Sequence, residues 1–204
     1  MVMSAYPPSP WKLTAHAYVG LHLLPAALLP APHSPATKPI TFFGRGLVAV
    51  AFFVYEEPSP LTYNEIMSTV FVRKGWRPLV SITKIWVDSE ASRDGGRALW
   101  AIPKELAHFG VHPHSSYVAS AGETTIGSLD VHRARTFPVA LPVSFSVAQD
   151  RDNRLVVTKI RGHGRTGLTR AHWAFNPDGP LGYLAGRRAF VTLALRPLRI
   201  VFGD

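Results

Sequence analysis

The run Gly96-Arg97-Ala98-Leu99-Trp100-Ala101-Ile102-Pro103-Lys104-Glu105-Leu106 sets one lysine directly behind an apolar approach. Trp100, Ala101 and Ile102 offer it no charge partner on the N-terminal side. Pro103 suits the first turn of a helix, where its missing N–H costs nothing. With Gly110 as the stop, residues 103–109 read as a helix. Lys104 then stands at the positive end of a helix dipole, a poor place for an ammonium. The expectation is a neutral amine, the form of lysine that attacks carbonyl carbons. Bringing a lysine from ~10.4 to a useful ~7–8 takes roughly three units, about 4 kcal/mol. Burial alone supplies shifts of ~3–5 units, so a dry pocket suffices. Neighbours in a helical turn do not face each other, so Glu105 is expected to point elsewhere.

Residues outside this run carry a resemblance to a known family. Tyr63-Asn64-Glu65 places a carboxylate upstream, and Ile85-Trp86-Val87-Asp88-Ser89 leads into the lysine segment. Together with Gly96-Arg97 and Pro103-Lys104, these residues resemble the acetoacetate decarboxylase family, whose members form a Schiff base on a Pro-Lys lysine. Pro10-Trp11-Lys12-Leu13 is similar to the family's Pro-Tyr-Lys-Phe entry, and Pro180-Leu181 through Ile200-Val201-Phe202 to its last strands. The resemblance makes Lys104 the imine-forming residue and Glu65 the acid/base. It implies a closed β-barrel-like fold with the active site inside and a small-molecule carbonyl substrate. Three positions depart from the family: its second lysine is Glu105, its carboxylate-holding arginine falls at about His16, and a second glutamate lands near Ala51.

The elements that must position these residues are strands. Val143, Phe145 and Val147 alternate with Ser144, Ser146 and Ala148 as in a half-buried strand. Residues 47–55 form a continuous apolar run, as in a strand covered on both faces. Similar segments recur at 66–73, 79–87, 124–133, 154–160, 168–175 and 190–202, punctuated by Gly, Pro, Asn and Asp. The fold class is therefore mainly β, an antiparallel β-barrel-like architecture with a few short helices. Pro-rich residues 1–10 and 30–39 read as an arm and a loop. No repeat or composition break divides the chain, so one domain over residues 1–204 is expected.

Composition narrows the function classes. At 204 residues the chain can bury a core without staples. It has no cysteine, which excludes disulfides and thiolate metal sites. The apolar stretch from Tyr18 to Pro30 is broken by Pro25 and too short to span a bilayer, so no membrane partner and a cytoplasmic location are expected. Residues 151–204 hold ten basic and three acidic side chains, +7 of the net +9. Arg151, Arg154, Arg161, Arg165 and Arg170 fall in strands and turns without an aromatic platform or recognition helix. They read as a solvated face, or as the lining of an anionic-substrate pocket, and nucleic acid is not expected as a partner. Gly162-His163-Gly164-Arg165-Thr166-Gly167 matches a dinucleotide fingerprint, but the segment after it reads as a strand, which makes the glycines a turn. His108, His112 and His114 share no helical face, so no metal is expected, and no cofactor either.

The leading expectation is a lyase-type enzyme whose Lys104 imine serves decarboxylation, dehydration or aldol-type chemistry. Glu65 is the acid/base, and Arg97 positions Glu65 or the substrate. His16, Trp100 and Phe53 complete the expected substrate contacts. Efficient acetoacetate decarboxylation is not expected, because a histidine clamps a carboxylate less firmly than an arginine. A homo-oligomer is expected. The alternative is a barrel that binds an apolar small molecule without covalent chemistry, or guides its cyclisation, with Ala51, Phe52, Phe53, Trp86, Trp100 and Ile102 as its lining.

Overall fold

Runs of β-branched and aromatic residues fold as strands along most of the chain. The computed structural model describes residues 6–203, so residues 1–5 of the Pro-rich arm lie outside the described residues. The strands are β1 (Trp11–Pro25), β2 (Lys38–Pro39), β3 (Thr41–Phe42), β4 (Arg45–Glu56), β5 (Tyr63–Lys74) and β6 (Arg77–Val87). Helix α1 (Glu90–Trp100) follows, then β7 (Lys104–Leu106), β8 (His108–His112), β9 (Ser116–Ala121), β10 (Thr124–Arg151), β11 (Arg154–Phe175) and β12 (Val191–Phe202). Two 3-10 turns, Ala26–Leu28 and Gly182–Leu184, complete the helical content among the described residues.

All the strands join one sheet: ten run in the order β7-β6-β5-β4-β1-β12-β11-β10-β9-β8, with β2 paired to β5 and β3 to β4. It curls until β10 reaches β6 through a parallel pairing of Val147 with Val80. This closure, with antiparallel neighbours elsewhere except β6–β7, is the barrel-like architecture expected. The β10–β11 hairpin turns on Asp152 and Asn153, whose φ of 52° and 64° suit a two-residue turn matched to strand twist.

Period-2 alternation divides β1, β4 and β5 between two cores. Trp11, Leu13, Ala51, Phe53, Tyr55, Tyr63 and Ile200 pack inside the curl. Tyr18, Val48, Val50, Phe52, Ile66, Tyr117, Leu129 and Trp173 pack outside it, under β8, β9 and the far halves of β10 and β11. Burial on both faces is why residues 47–55 are apolar without interruption.

Three expectations are corrected. Residues 103–109 are not a helix: Lys104 lies on β7, paired in parallel with Ile85 of β6, and β8 begins at His108. The helix lies upstream at α1, where the Ser89 hydroxyl caps the N-terminus by accepting from the Ser92 N–H. Gly95 and Gly96 in its interior weakened its signal, since glycine is a poor helix former. The Gly162–167 stretch is no turn. It runs within β11, paired with β10 and β12, and a Cβ on Gly162 would run into the Arg199 carbonyl oxygen, so glycine lets β12 approach. The segments 154–160 and 168–175 are accordingly one strand, as are 124–133 and 143–148.

Candidate active site

Helix α1 and β7 bring the lysine under the sheet. After Trp100 the chain turns through Ala101 at φ 56°, with the Ala101 and Ile102 N–H groups closing on Arg97 and Gly96 carbonyls. That reversal sends residues 104–106 alongside β6. Arg97 Nε donates to the Lys104 carbonyl at 2.7 Å and fixes the backbone from which the side chain departs. The Lys104 stem then runs against Gly96, where a Cβ would meet Cδ at 2.9 Å and Cε at 3.0 Å. Gly96 therefore opens the lysine's path.

The amine ends in a full set of acceptors. Nζ donates to Glu65 Oε2 at 2.8 Å, to Ser92 Oγ at 2.9 Å and to the Tyr63 hydroxyl at 3.4 Å. Its three hydrogens are thus matched by three oxygens, and the Tyr63 ring centroid lies 4.8 Å away. Tyr55 donates to the other Glu65 oxygen at 3.3 Å and packs on Tyr63 with ring centroids 4.4 Å apart. Lys104 is 4% exposed and Glu65 3%.

These contacts reverse the expected charge state. Burial works against the ammonium, but the Glu65 carboxylate and Tyr63 outweigh it and hold Lys104 above its ordinary value. The resting site is a buried ion pair, and Lys104 lies beyond the C-terminus of α1 instead of at a helix N-terminus. Burial also pushes the Tyr55 and Tyr63 hydroxyls up, with Glu65 adding to both shifts and Lys104 opposing the rise at Tyr63. Both stay protonated at neutral pH.

The pair stands in the wall of a cavity of about 280 Å³ inside the curl. Phe53, Trp100, Ala51 and Ile102 line it; Phe52 and Trp86 do not, because they alternate to the outer core. His16 is not brought to the site. It shares the outward face of β1 with Tyr18, its Nδ1 3.6 Å from Glu56 and its ring 5.3 Å from that of His114. Burial lowers its pKa despite Glu56. The inward residues flanking it are Ala15 and Ala17, so the family's carboxylate clamp has no counterpart there. Arg97 is exposed and reaches the site through the Lys104 backbone alone. Glu105 does point away: its Oε2 accepts from Trp86 Nε1 at 3.0 Å, and strand alternation turns it outward.

Three members of the site escaped the sequence reading of roles: Tyr55, Tyr63 and Ser92. Tyr63 was within reach of the alternation rule, since it is two residues from Glu65 and on its face. Tyr55 follows from the hairpin register, in which it pairs with Tyr63. Ser92 gave no signal, because the helix carrying it was not recognised. The C-terminal arginines line no part of the cavity; Arg151, Arg154, Arg161, Arg165 and Arg170 are exposed, in keeping with a solvated face. His108, His112 and His114 are exposed as well. No helix among the described residues is long and apolar enough to cross a membrane.

No match was found among curated sequences. Acetoacetate decarboxylase from Legionella pneumophila subsp. pneumophila str. Philadelphia 1 superposes with a TM-score of 0.68 at 15% identity, covering 99% of this chain and 88% of that one. An acetoacetate decarboxylase-like enzyme from Sphingomonas wittichii RW1 gives 0.63 at 17% identity, over 98% and 93% of the two chains. The enduracididine biosynthesis enzyme MppR, solved with pyruvate, gives 0.65 at 14%, over 97% and 90%. Identities this low establish a common fold. A family model described as acetoacetate decarboxylase (ADC) matches residues 22–171, from within β1 to near the end of β11, and the chain belongs to that family.

Proposed function

We propose that this protein is a lyase-type enzyme that forms an imine between Lys104 and the carbonyl carbon of a small molecule. One observation carries the reading: a buried amine and a buried carboxylate meet at 2.8 Å in the wall of an otherwise apolar cavity. Taking two charges out of water is costly even with their hydrogen bonds made, and an apolar pair of the same shape would be at least as stable. A bound molecule that excludes water favours the neutral pair, reached by passing one proton from Nζ to Oε2.

The free amine then adds to the carbonyl carbon, and its extra proton moves to the carbonyl oxygen to give a carbinolamine. Glu65 returns its proton to that hydroxyl, the C–O bond breaks, and water leaves. The product is an iminium facing the Glu65 carboxylate. As an electron sink, the iminium allows Glu65 to take a proton from the adjacent carbon, giving an enamine that serves dehydration or aldol-type addition, or accepts the electron pair of a breaking carbon–carbon bond while Glu65 takes the proton of the β-hydroxyl. Tyr55 holds Glu65 in place, Arg97 positions the Lys104 backbone, and Phe53 and Trp100 flank the substrate. MppR, solved with the condensation product of pyruvate and imidazole 4-carboxaldehyde, supports the condensation branch.

The test is reductive trapping. Incubation with ketones or aldehydes and borohydride should add the reduced ligand's mass at Lys104, read by peptide mass spectrometry. Lys104→Met, which keeps the stem, should abolish it. Labelling that persists in that variant overturns the assignment. A second reading draws on the ammonium itself, whose three donors are all engaged at rest. In it the barrel binds an uncharged molecule by shape, and no adduct forms with any carbonyl compound.

A further inference from the structure

The cavity extends far beyond the ion pair. Along β5 its wall runs from Tyr63 and Glu65 through Met67 and Thr69 to Phe71. Six residues from Glu65 to Phe71 cover roughly 20 Å along a strand. With a typical barrel tilt that is about 15 Å along the axis. At the Lys104 end, Trp100, the last residue of α1, packs edge-on to Trp11 at 4.8 Å and against Phe202 at 4.5 Å. The opposite end is lined by Leu21, Phe71, Val80, Val143 and Phe145, and Phe145 is 37% exposed there. The lining between the ends is aliphatic or aromatic apart from Thr69. Ala49 and Ala51 are small where β4 passes mid-cavity, which leaves the bore open.

Charge is as telling as shape. Among the described residues, Lys104 and Glu65 are the only charged ones in the lining, and each is already the other's partner. A substrate carboxylate would lose its water without gaining a cation of its own, and it would face the Glu65 carboxylate. The cavity selects against anions.

Resting on the imine reading, we propose that the carbonyl compound taken by Lys104 is uncharged and extended. Its carbonyl sits at Glu65, and an apolar tail lies along the barrel toward Phe71 and Phe145. An extended chain advances roughly 1.2 Å per bond, so about twelve bonds fill the length. Without a carboxylate, carbon dioxide is not a leaving group, and the imine serves proton removal from the adjacent carbon with aldol-type addition or cleavage. Imine formation itself makes one C–N bond and releases the carbonyl oxygen as water.

A homologous series of methyl ketones from butan-2-one to tetradecan-2-one tests this, with acetoacetate and pyruvate as carboxylated controls. Trapping at Lys104 under cyanoborohydride is one readout. Quenching of tryptophan fluorescence in a Trp76→Phe background, which removes the exposed tryptophan and leaves Trp11 and Trp100 in the cavity lining, is the other and needs no covalent step. Half-saturation should fall about fourfold per added methylene until the cavity is full. The carboxylated ketones should trap at least tenfold less well than neutral ketones of matched size. Ala49→Leu should shift the plateau to shorter chains; should that variant misfold, Ala49→Val should do so by less. Trapping without chain-length dependence, or preferential trapping of acetoacetate or pyruvate, overturns the proposal. Quenching that tracks chain length with no adduct on Lys104 defeats the imine reading while upholding the uncharged apolar ligand. Neither quenching nor trapping by any ketone defeats the ligand class.

Discussion

Phe52 and Phe53 are neighbours in sequence and belong to different interiors. Phe52 points outward into a closed core, stacked on Trp173 at 5.9 Å and tilted against Tyr117 at 5.8 Å, over fully buried Leu181 and Leu184. Phe53 points inward, stacked on Tyr55 at 5.6 Å on one side and lining the cavity on another. The outer core is filled and apolar but for a few polar tips; the inner one is hollow and holds an ion pair. A strand wall packed densely on its outside supplies the burial that lets its inside stay open. The hollow side is then free to hold groups that cost stability, here a lysine and a glutamate kept out of water.

Four substitutions probe that division, two of them as a pair. The largest effect is expected at Glu65. Glu65→Gln keeps the shape and removes the titrating proton, so turnover with a cognate carbonyl compound should fall ~10²–10⁴-fold, measured by steady-state kinetics. Unchanged activity would remove Glu65 from the chemistry and leave the inner pair a structural one. The second change sets the neighbours against each other. Phe52→Ala should cost about 3–5 kcal/mol in denaturant unfolding, and Phe53→Ala less than about half of that, because the cost grows with the new void and Phe53 already borders one. Equal losses would mean that the two interiors are packed alike.

The smallest effect concerns His22, which lies in the outer wall with its ring 5.9 Å from that of Phe175. Burial lowers its pKa from 6.5 to about 4. Between those values the unfolded chain binds a proton that the folded chain refuses. Its contribution to stability is therefore complete above pH 6.5 and is lost progressively as the pH falls toward about 4. Burial lowers His16 in the same direction. His22→Phe should thus reduce the drop in Tm between pH 7 and pH 4.5 without removing it. A drop of undiminished size would show that His22 is not part of the acid response.

Local pattern decided a good deal of this protein. Alternation along residues 143–148 and the continuous apolar run at 47–55 mark strands correctly, because side-chain period and two-faced burial are written into composition. The two groups proposed to do the chemistry, Lys104 and Glu65, were named from short motifs that resemble those of a known family. The helix was not: Gly95 and Gly96 depress local propensity, yet they are what admits the lysine stem and the Trp11 ring, whose Cζ2 would lie 2.6 Å from a Cβ on Gly95. Pro103 looked like a helix start because a missing N–H also suits a strand that follows a tight reversal.

Tertiary structure alone decided the charge state. From sequence, Lys104 has an apolar approach and one adjacent carboxylate, Glu105, that is expected to point elsewhere; in the fold, Glu65, 39 residues away in the chain, arrives at 2.8 Å. Whether a buried amine is free or ionised depends on which carboxylate shares its volume, and no local spacing records that. His16 shows the same limit in reverse. Its position along β1 was readable, but its face was not, because a shift of one residue sends a side chain to the other interior. Residue types and strand period thus determined which groups exist and where strands run. Only the closure of the sheet determined which of them meet, because contacts between distant strands follow from register and curl.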